Sequence, residues 1–349
     1  MRTLLRFAPL ISRLRSRLGG NADYKVHASR SWVIHPEETN TIPPALFDPD
    51  DLHRISAYGP GEGGEVEMQR IRGGPGSHTA TTAYELSDVV LSRGHAFTAR
   101  AHYAIAGKRA PMFPQRPTRE FGHAVMASTS MGYRYFGHWM ADDLPMLIAA
   151  RDIGEPISIA RTWTPAQTGY AELLGLKTDA LEDAYFKKLV VIDDVGQNTY
   201  KRTRFRQLRE LAIRYALPSA PKGVMLLRGI GGSARVLSNE AEVASLARSR
   251  GFNVLDPALT DASELLRACF GASVVLGVEG SQLTNGMLWM SQHGTMVTIQ
   301  PPDRFVMVLK NRCDCIGIRS AFVVGKAEAA GAFRVDIDAL GRMLDAVAA

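Results

Sequence analysis

Residues 273–300, SVVLGVEGSQLTNGMLWMSQHGTMVTIQ, constrain the fold more than any other stretch of the chain. They open on a β-branched run, residues 273–278, punctuated by Gly271 and Gly277. A run without polar alternation is a strand buried on both faces, which is what a parallel sheet requires. The turn Glu279-Gly280-Ser281-Gln282 follows, then an apolar helix to Met290, a stop at Gly294 and a second strand over residues 295–300. A small-residue turn between the end of a strand and the start of a helix presents free backbone N–H groups and a positive dipole end. In open α/β sheets ligands bind at such turns, anionic ones above all. The same stretch also reads as a core βαβ unit with an ordinary tight turn.

The neighbouring pattern extends this unit. Residues 223–227 read as a strand, residues 238–250 as a helix capped by Ser238, and residues 252–255 as a strand. Asp261 starts another helix, with Glu264 placed for a capping box. Four strands alternating with three helices predict a parallel, Rossmann-like sheet, closed by an amphipathic helix over residues 337–348. Upstream, residues 217–221 (LPSAP) form a two-proline break that reads as an inter-domain linker. Residues 134–150 read as a helix, 156–160 as a strand, 165–174 as a helix, 188–192 as a strand and 200–215 as a basic helix. Residues 21–119 are dense in glycine and proline, and only a hairpin of residues 84–91 and 95–103 about Ser92-Arg93-Gly94 stands out. A length of 349 residues suits two domains. The expected division is a basic N-terminal segment over 1–20, an N-terminal domain over 21–220 and a C-terminal domain over 221–349.

A net charge of +6 and a pI near 9.3 suit polyanionic partners without choosing among them. Three cysteines (Cys269, Cys313, Cys315) make no disulfide framework, and Cys313-Asp314-Cys315 lacks the second ligand pair of a zinc site. A reducing, cytoplasmic compartment is the expectation. Residues 1–20 lack the apolar core of a signal peptide. Leu4, Phe7, Ile11, Leu14 and Leu18 fall on one helical stripe among Arg2, Arg6, Arg13, Arg15 and Arg17. Such a helix lies on an anionic membrane surface, here the inner face; the alternative is a frayed basic tail, since Pro9 interrupts the first turns.

Four features carry chemistry. Glu279 can accept ribose hydroxyls while the Gly280, Ser281 and Gln282 amides meet phosphates, and Asn285 lies one turn further on. Arg228 ends the first strand of the C-terminal sheet, and Arg235 closes the glycine-rich loop after it; two guanidinium groups at a strand end suit a diphosphate. Gly229 to Ala234 also fit the dinucleotide pattern G-x-G-x-x-A with Asp256 ending the second strand, although Arg235-Val236-Leu237 intervenes before the helix. His138 and Asp142, four apart, project from one helix face, so that a carboxylate can act as general base beside an imidazole, with Asp143 as the alternative carboxylate. The basic residues Lys201, Arg202, Arg204, Arg206 and Arg209 read first as a solvated face and second as a contact for an acidic acceptor or membrane.

In chain order these motifs resemble glycosyltransferase family 61, which includes bacterial capsular-polysaccharide enzymes. The resemblance rests on His138-Trp139 followed by Leu144-Pro145, on Arg228, Arg235 and Asn239-Glu240, on Gly251-Phe252, and on the turn from Gly277 to Asn285. It covers residues 121–302 and departs at Glu279, where the family commonly has His. It implies an α/β GT-B fold of two Rossmann-like lobes with the donor cleft between them, 21–220 being the acceptor side and 221–349 the nucleotide-sugar side. It implies an inverting transfer from a nucleotide-sugar donor to a glycan or lipid-linked glycan acceptor, in bacterial surface polysaccharide synthesis. No metal, no cofactor beyond the co-substrate and no nucleic-acid partner is expected. On this reading Asp142 is the base, His138 its partner, and Arg228, Arg235, Glu279, Gly280, Ser281, Gln282 and Asn285 hold the donor. The alternatives are an NAD(P)-dependent oxidoreductase using the Gly229 loop and a catalytically silent glycan-binding protein.

Overall fold

The computed structural model describes residues 7–17, 21–59, 63–106, 109–114, 116–216, 220–229 and 235–348, with backbone alone at 13 and 15–17. The chain forms two compact units, each discontinuous. The first comprises Met1–Glu38, His78–Thr164 and Gly175–Arg204; the second comprises Thr39–Ser77, Pro165–Leu174 and Phe205–Ala349.

The second unit is organised on residues 273–300. Strands Val274–Val278 and Thr295–Gln300 are buried at every residue, as their uninterrupted apolar runs require. They sit in a parallel five-stranded sheet of order Asn253–Leu255, Gly223–Leu226, Val274–Val278, Thr295–Gln300, Arg319–Val324. The four strands expected from sequence are all present. The fifth, with the helix Val308–Ile316 before it, had no counterpart in the sequence reading, because that helix buries Lys310, Arg312, Cys313 and Cys315 and so has no clean apolar stripe. The sheet runs outward in both directions from Gly223–Leu226 and Val274–Val278, which makes the carboxyl ends of these two strands the topological switch point. A side chain at Gly277 would run into the Leu226 carbonyl, so the two strands meet there only because glycine has none.

Local details depart from expectation in three places. The helix expected to reach Met290 is a 3-10 turn, Ser281–Leu283, followed by a single α-turn, Thr284–Met287, whose Gly286 packs flat on Val275. The helix assigned to Ser238 starts one residue later, as Glu240–Ser249, and the Asn239 amide instead bonds the Val335 backbone N–H and C=O, at 3.1 and 2.9 Å. Residues of the unpromising early region enter this core: Ala45 and Ile71 cluster with Phe305, Met307, Phe322 and Val324. By contrast, Asp261 caps its helix as predicted, accepting from the Glu264 N–H at 2.9 Å, and the closing helix is Ile337–Ala348.

The first unit holds a mixed sheet rather than a second doubly wound one. Strand Asp183–Asp193 runs parallel to Arg119–Met126, Pro156–Ile159 and Asp179–Leu181 on one side but antiparallel to Thr81–Ser92 on the other. The hairpin about residues 92–94 forms, with Arg93 and Gly94 both at positive φ as a two-residue turn needs. Its second arm breaks into His95–Phe97 and His102–Ala104.

The helix expected over residues 134–150 is interrupted. Phe136–His138 passes into a π-turn, Trp139–Asp143, before Leu144–Arg151 continues as α-helix. Pro145 is the physical cause. It has no N–H to give the Ala141 carbonyl, and in α-geometry its ring presses on that carbonyl; a wider turn, closed by Leu144 N–H to Trp139 O, relieves the clash.

Candidate active site

The π-turn sets the first polar cluster. His138 Nδ1 lies 2.7 Å from Asp142 Oδ2, both side chains about one-fifth exposed. The spacing read from the sequence therefore brings these two together. Asp143, the alternative carboxylate, points inward, where its Oδ1 accepts from the Thr129 N–H at 3.0 Å and from Thr129 Oγ1 at 2.7 Å. Gly132 has no side chain that could collide with it. Burial holds the Asp143 carboxyl well above the usual carboxylate range, against the Thr129 hydrogen bonds and Arg161. Its surroundings make it part of the fold, fixing the cap of Ser130–Arg134, rather than a group that meets substrate.

Behind Asp142 stands a buried ionic cluster that the sequence reading missed. Asn198 caps the helix Thr199–Ala212, accepting from the Lys201 N–H at 3.0 Å, and so turns Lys201 and Arg204 inward. Arg204 makes a bidentate pair with Asp194, at 2.9 and 2.8 Å. Lys201 Nζ donates to the Asp194 carbonyl at 2.5 Å, and it lies 3.4 Å from Asp194 Oδ2 and 3.7 Å from Asp142 Oδ1. Burial pushes the Asp194 carboxyl up, but Lys201 and Arg204 outweigh it and hold it below the usual range. The expected solvated face is corrected here: Lys201 and Arg204 are 1 % exposed, and Arg209 donates to the Leu288 and Met290 carbonyls at 2.8 and 2.6 Å. Only Arg206 of the five is exposed. A run of basic residues looks solvated when the acid that pairs with it lies outside the run, as Asp194 does.

The second polar cluster lies in the other unit, at the carboxyl edge of the parallel sheet. Arg228 follows the Gly223–Leu226 strand, its N–H held by Glu240 Oε1 at 2.9 Å and its Nη1 donating to Gln282 Oε1 at 3.0 Å. Gly280 sits at φ 154, and a side chain there would collide with Gln282 and press on the Arg228 guanidinium. Glycine thus lets the turn backbone lie against the arginine. Arg235 Nε is 3.0 Å from Glu279 Oε2, close as charges but outside hydrogen-bond geometry, since both atoms lack a hydrogen-bond partner. Burial raises the Glu279 carboxyl, and Arg235, Arg228 and Arg304 each pull it back down. Arg304, in the loop after Thr295–Gln300, is a site neighbour that no motif signalled.

The remaining expected residues divide. Ser281 is half-buried at the turn, while Gln282 is buried and engaged with Arg228 and the Val278 carbonyl. Asn285 is 2 % exposed; its amide donates to the Gln282 carbonyl at 2.9 Å and accepts from the Tyr170 hydroxyl at 3.0 Å. Its contacts thus lie inside the protein. The helix after Gly280 is too short to carry the dipole argued from sequence, so the positive character of this edge comes from arginines. Residues 230–234 of the Gly229 loop lie outside the described residues. Beyond them the strand Val236–Leu237 stands before the helix Glu240–Ser249, unlike a dinucleotide fingerprint, whose glycines open the helix itself.

Fold and sites together define an α/β protein with an arginine-lined sheet edge in one unit and a His–Asp pair on a π-turn in the other. Residues 136–297 match the model of the family described as Glycosyltransferase 61, which shows the resemblance carried by the motifs above. A match to that family suggests a glycosyltransferase, hence a sugar donor and a glycan acceptor. No curated protein matches the chain.

Proposed function

We propose that the protein is an inverting glycosyltransferase that moves a sugar from a nucleotide-sugar donor to a glycan or lipid-linked glycan acceptor in bacterial surface polysaccharide synthesis. The observation that carries this reading is the gathering of Arg228 and Arg235 at the switch point of the parallel sheet, with the Gly280 backbone laid beside Arg228. Guanidinium groups there meet the charge of a leaving diphosphate, which is the largest electrostatic demand of the reaction. Ser281 and Gly280 supply backbone N–H groups next to them. With that counter-charge the reaction as proposed needs no metal.

In this reading Asp142 accepts the proton of the acceptor hydroxyl as its oxygen attacks the anomeric carbon from the face opposite the diphosphate. His138 holds the carboxylate by its 2.7 Å contact. A GT-B arrangement of two lobes belongs to the same proposal. So does a cytoplasmic enzyme resting on the inner membrane face through its N-terminal helix. In that helix, Ala8–Arg17, Ala8 and Ser12 turn inward while Leu14, like Phe7 just before it, is about half exposed, leaving apolar side chains outward. Among the described residues no helix is long and apolar enough to cross a membrane.

Mixing the protein with a panel of isotope-labelled nucleotide sugars tests the reading, with release of nucleoside diphosphate as the signal. Turnover of one donor with inverted anomeric configuration in the product is expected. Folded protein that neither binds nor turns over any of them would refute it.

A further inference from the structure

Three arginines reach Glu279 from three separate places: Arg228 after Gly223–Leu226, Arg235 ahead of Val236–Leu237, and Arg304 after Thr295–Gln300. Strands Gly223–Leu226, Val274–Val278 and Thr295–Gln300 are successive neighbours in the sheet. Their carboxyl ends therefore lie along one edge about 10 Å long. Glu279 is the first residue past the middle strand, and it is 6 % exposed. Arg228 is also held by Gln282, to which its Nη1 donates at 3.0 Å. Glu240 is engaged by the Arg228 backbone N–H, and Glu67 by Arg70 and the Met307 N–H.

The hydrogen bonding of this group is incomplete. Arg235 Nε, Arg304 Nε and Glu279 Oε2 are all buried and none makes a hydrogen bond. Buried polar atoms in native folds are nearly always bonded; here Arg235 Nε and Glu279 Oε2 face each other at 3.0 Å without bonding geometry and Arg304 Nε has no hydrogen bond, so the cluster keeps donor capacity for an anion. Burial, the neighbouring arginine charges and Glu279 act together on Arg228 and Arg235, and the net effect brings both below the usual guanidinium range. The arginines gather closely enough to repel one another; Glu279 offsets all three, and Glu240 adds to it at Arg228 alone.

We infer that Arg304 is a third arm of the anion cradle and that Glu279 is its internal counter-ion, whose place a donor's diphosphate takes. This rests on reading the second unit as the donor side. A diphosphate brings more charge and more acceptor oxygens than one carboxylate, in a geometry that guanidinium forks match. Glu279 then opposes binding rather than supporting it, which differs from a role in holding ribose. The Glu279 carboxylate keeps the empty cradle together, and its removal frees the three arginines for phosphate.

The test titrates the full chain, as wild type and as Glu279→Gln, Arg304→Ala and Arg228→Ala, with inorganic pyrophosphate, nucleoside diphosphates and the matching nucleosides, by calorimetry. Glu279→Gln is expected to tighten pyrophosphate binding, and Arg304→Ala to weaken it, each by roughly ten- to hundredfold. Nucleoside binding should not move in either. Should Glu279→Gln not fold, Glu279→His removes the same charge and takes its place. Weaker or unchanged pyrophosphate binding on loss of the Glu279 charge overturns the counter-ion, and unchanged binding in Arg304→Ala removes that residue from the cradle. If the wild type binds pyrophosphate with this pattern but no nucleotide, the cradle stands and the donor assignment fails. If it binds neither, both fall.

Discussion

Replacing Asp142 with Asn separates chemistry from folding in the first polar cluster. The carboxylate accepts from His138 Nδ1 at 2.7 Å, and its other oxygen lies 3.7 Å from Lys201 Nζ. Asparagine keeps an acceptor for the imidazole but exchanges a charge-assisted contact for a neutral one, a difference of about 1–1.5 kcal/mol. Lys201 retains Asp194 on its other side, so no cation is left without a counter-charge. The melting temperature should therefore fall by roughly 2–6 °C, leaving the protein folded at 25 °C. Transfer should fall by on the order of 10²–10⁴, or about 2.7–5.4 kcal/mol of transition-state stabilisation, because an amide cannot take the acceptor's proton. Single-turnover transfer at saturating donor, read beside a thermal melt of the same sample, resolves the two. Asp143→Asn is the control, since that side chain is buried on Thr129. A drop in transfer no larger than the drop in folded fraction would refute the base. Loss of transfer in Asp143→Asn alone would assign it to the wrong carboxylate.

Other changes test the surroundings of these sites. Asp143 has a folded-state value raised above its unfolded one, so its favourable contribution is complete below about pH 4 and is lost as the pH rises. Asp143→Asn, which keeps the acceptor for Thr129, should gain on the wild type between pH 4 and pH 7.5 in urea midpoints; a gap independent of pH would show that the carboxyl is ionised throughout. Asp194→Asn takes the bidentate partner from Arg204 and leaves Lys201 only Asp142 at 3.7 Å, both cations being 1 % exposed, and should destabilise the protein by about 3–5 kcal/mol. A loss below about 1 kcal/mol would mean that water reaches the pair. Deleting residues 1–18 should reduce co-sedimentation with anionic vesicles at low salt, and unchanged sedimentation would leave the N-terminal helix no membrane role.

The parts legible in the sequence are those whose signal is local. The strands Val274–Val278 and Thr295–Gln300 declare themselves by apolar runs, the Asp261 cap by its spacing to Glu264, and His138–Asp142 by four residues on one face. Arg304 carries no such mark, because its meaning comes from standing two strands away from Arg228. Lys201 and Arg204 are obscured in the same way, since only the folded chain shows that Asp194 neutralises them. The π-turn has a local cause in Pro145, but proline inside a helical pattern predicts a kink or an end equally well. Glu279 is visible as an unusual residue in its motif and Arg228 with Arg235 as a pair beside it, while Arg304 as their third member is not.

The division of the second unit has a consequence for how the protein is made. Leu46 pairs beside Ala321, so an early segment of the nascent chain must wait for a strand about 270 residues downstream. At the pace of translation that delay is roughly 15–55 s, far longer than a helix or hairpin takes to form. Throughout it Ile71, Met68, Leu52 and Ile55 lack the Phe305, Phe322 and Val324 surface that later covers them. Those side chains are covered by their native partners only once the last strand of the sheet has emerged.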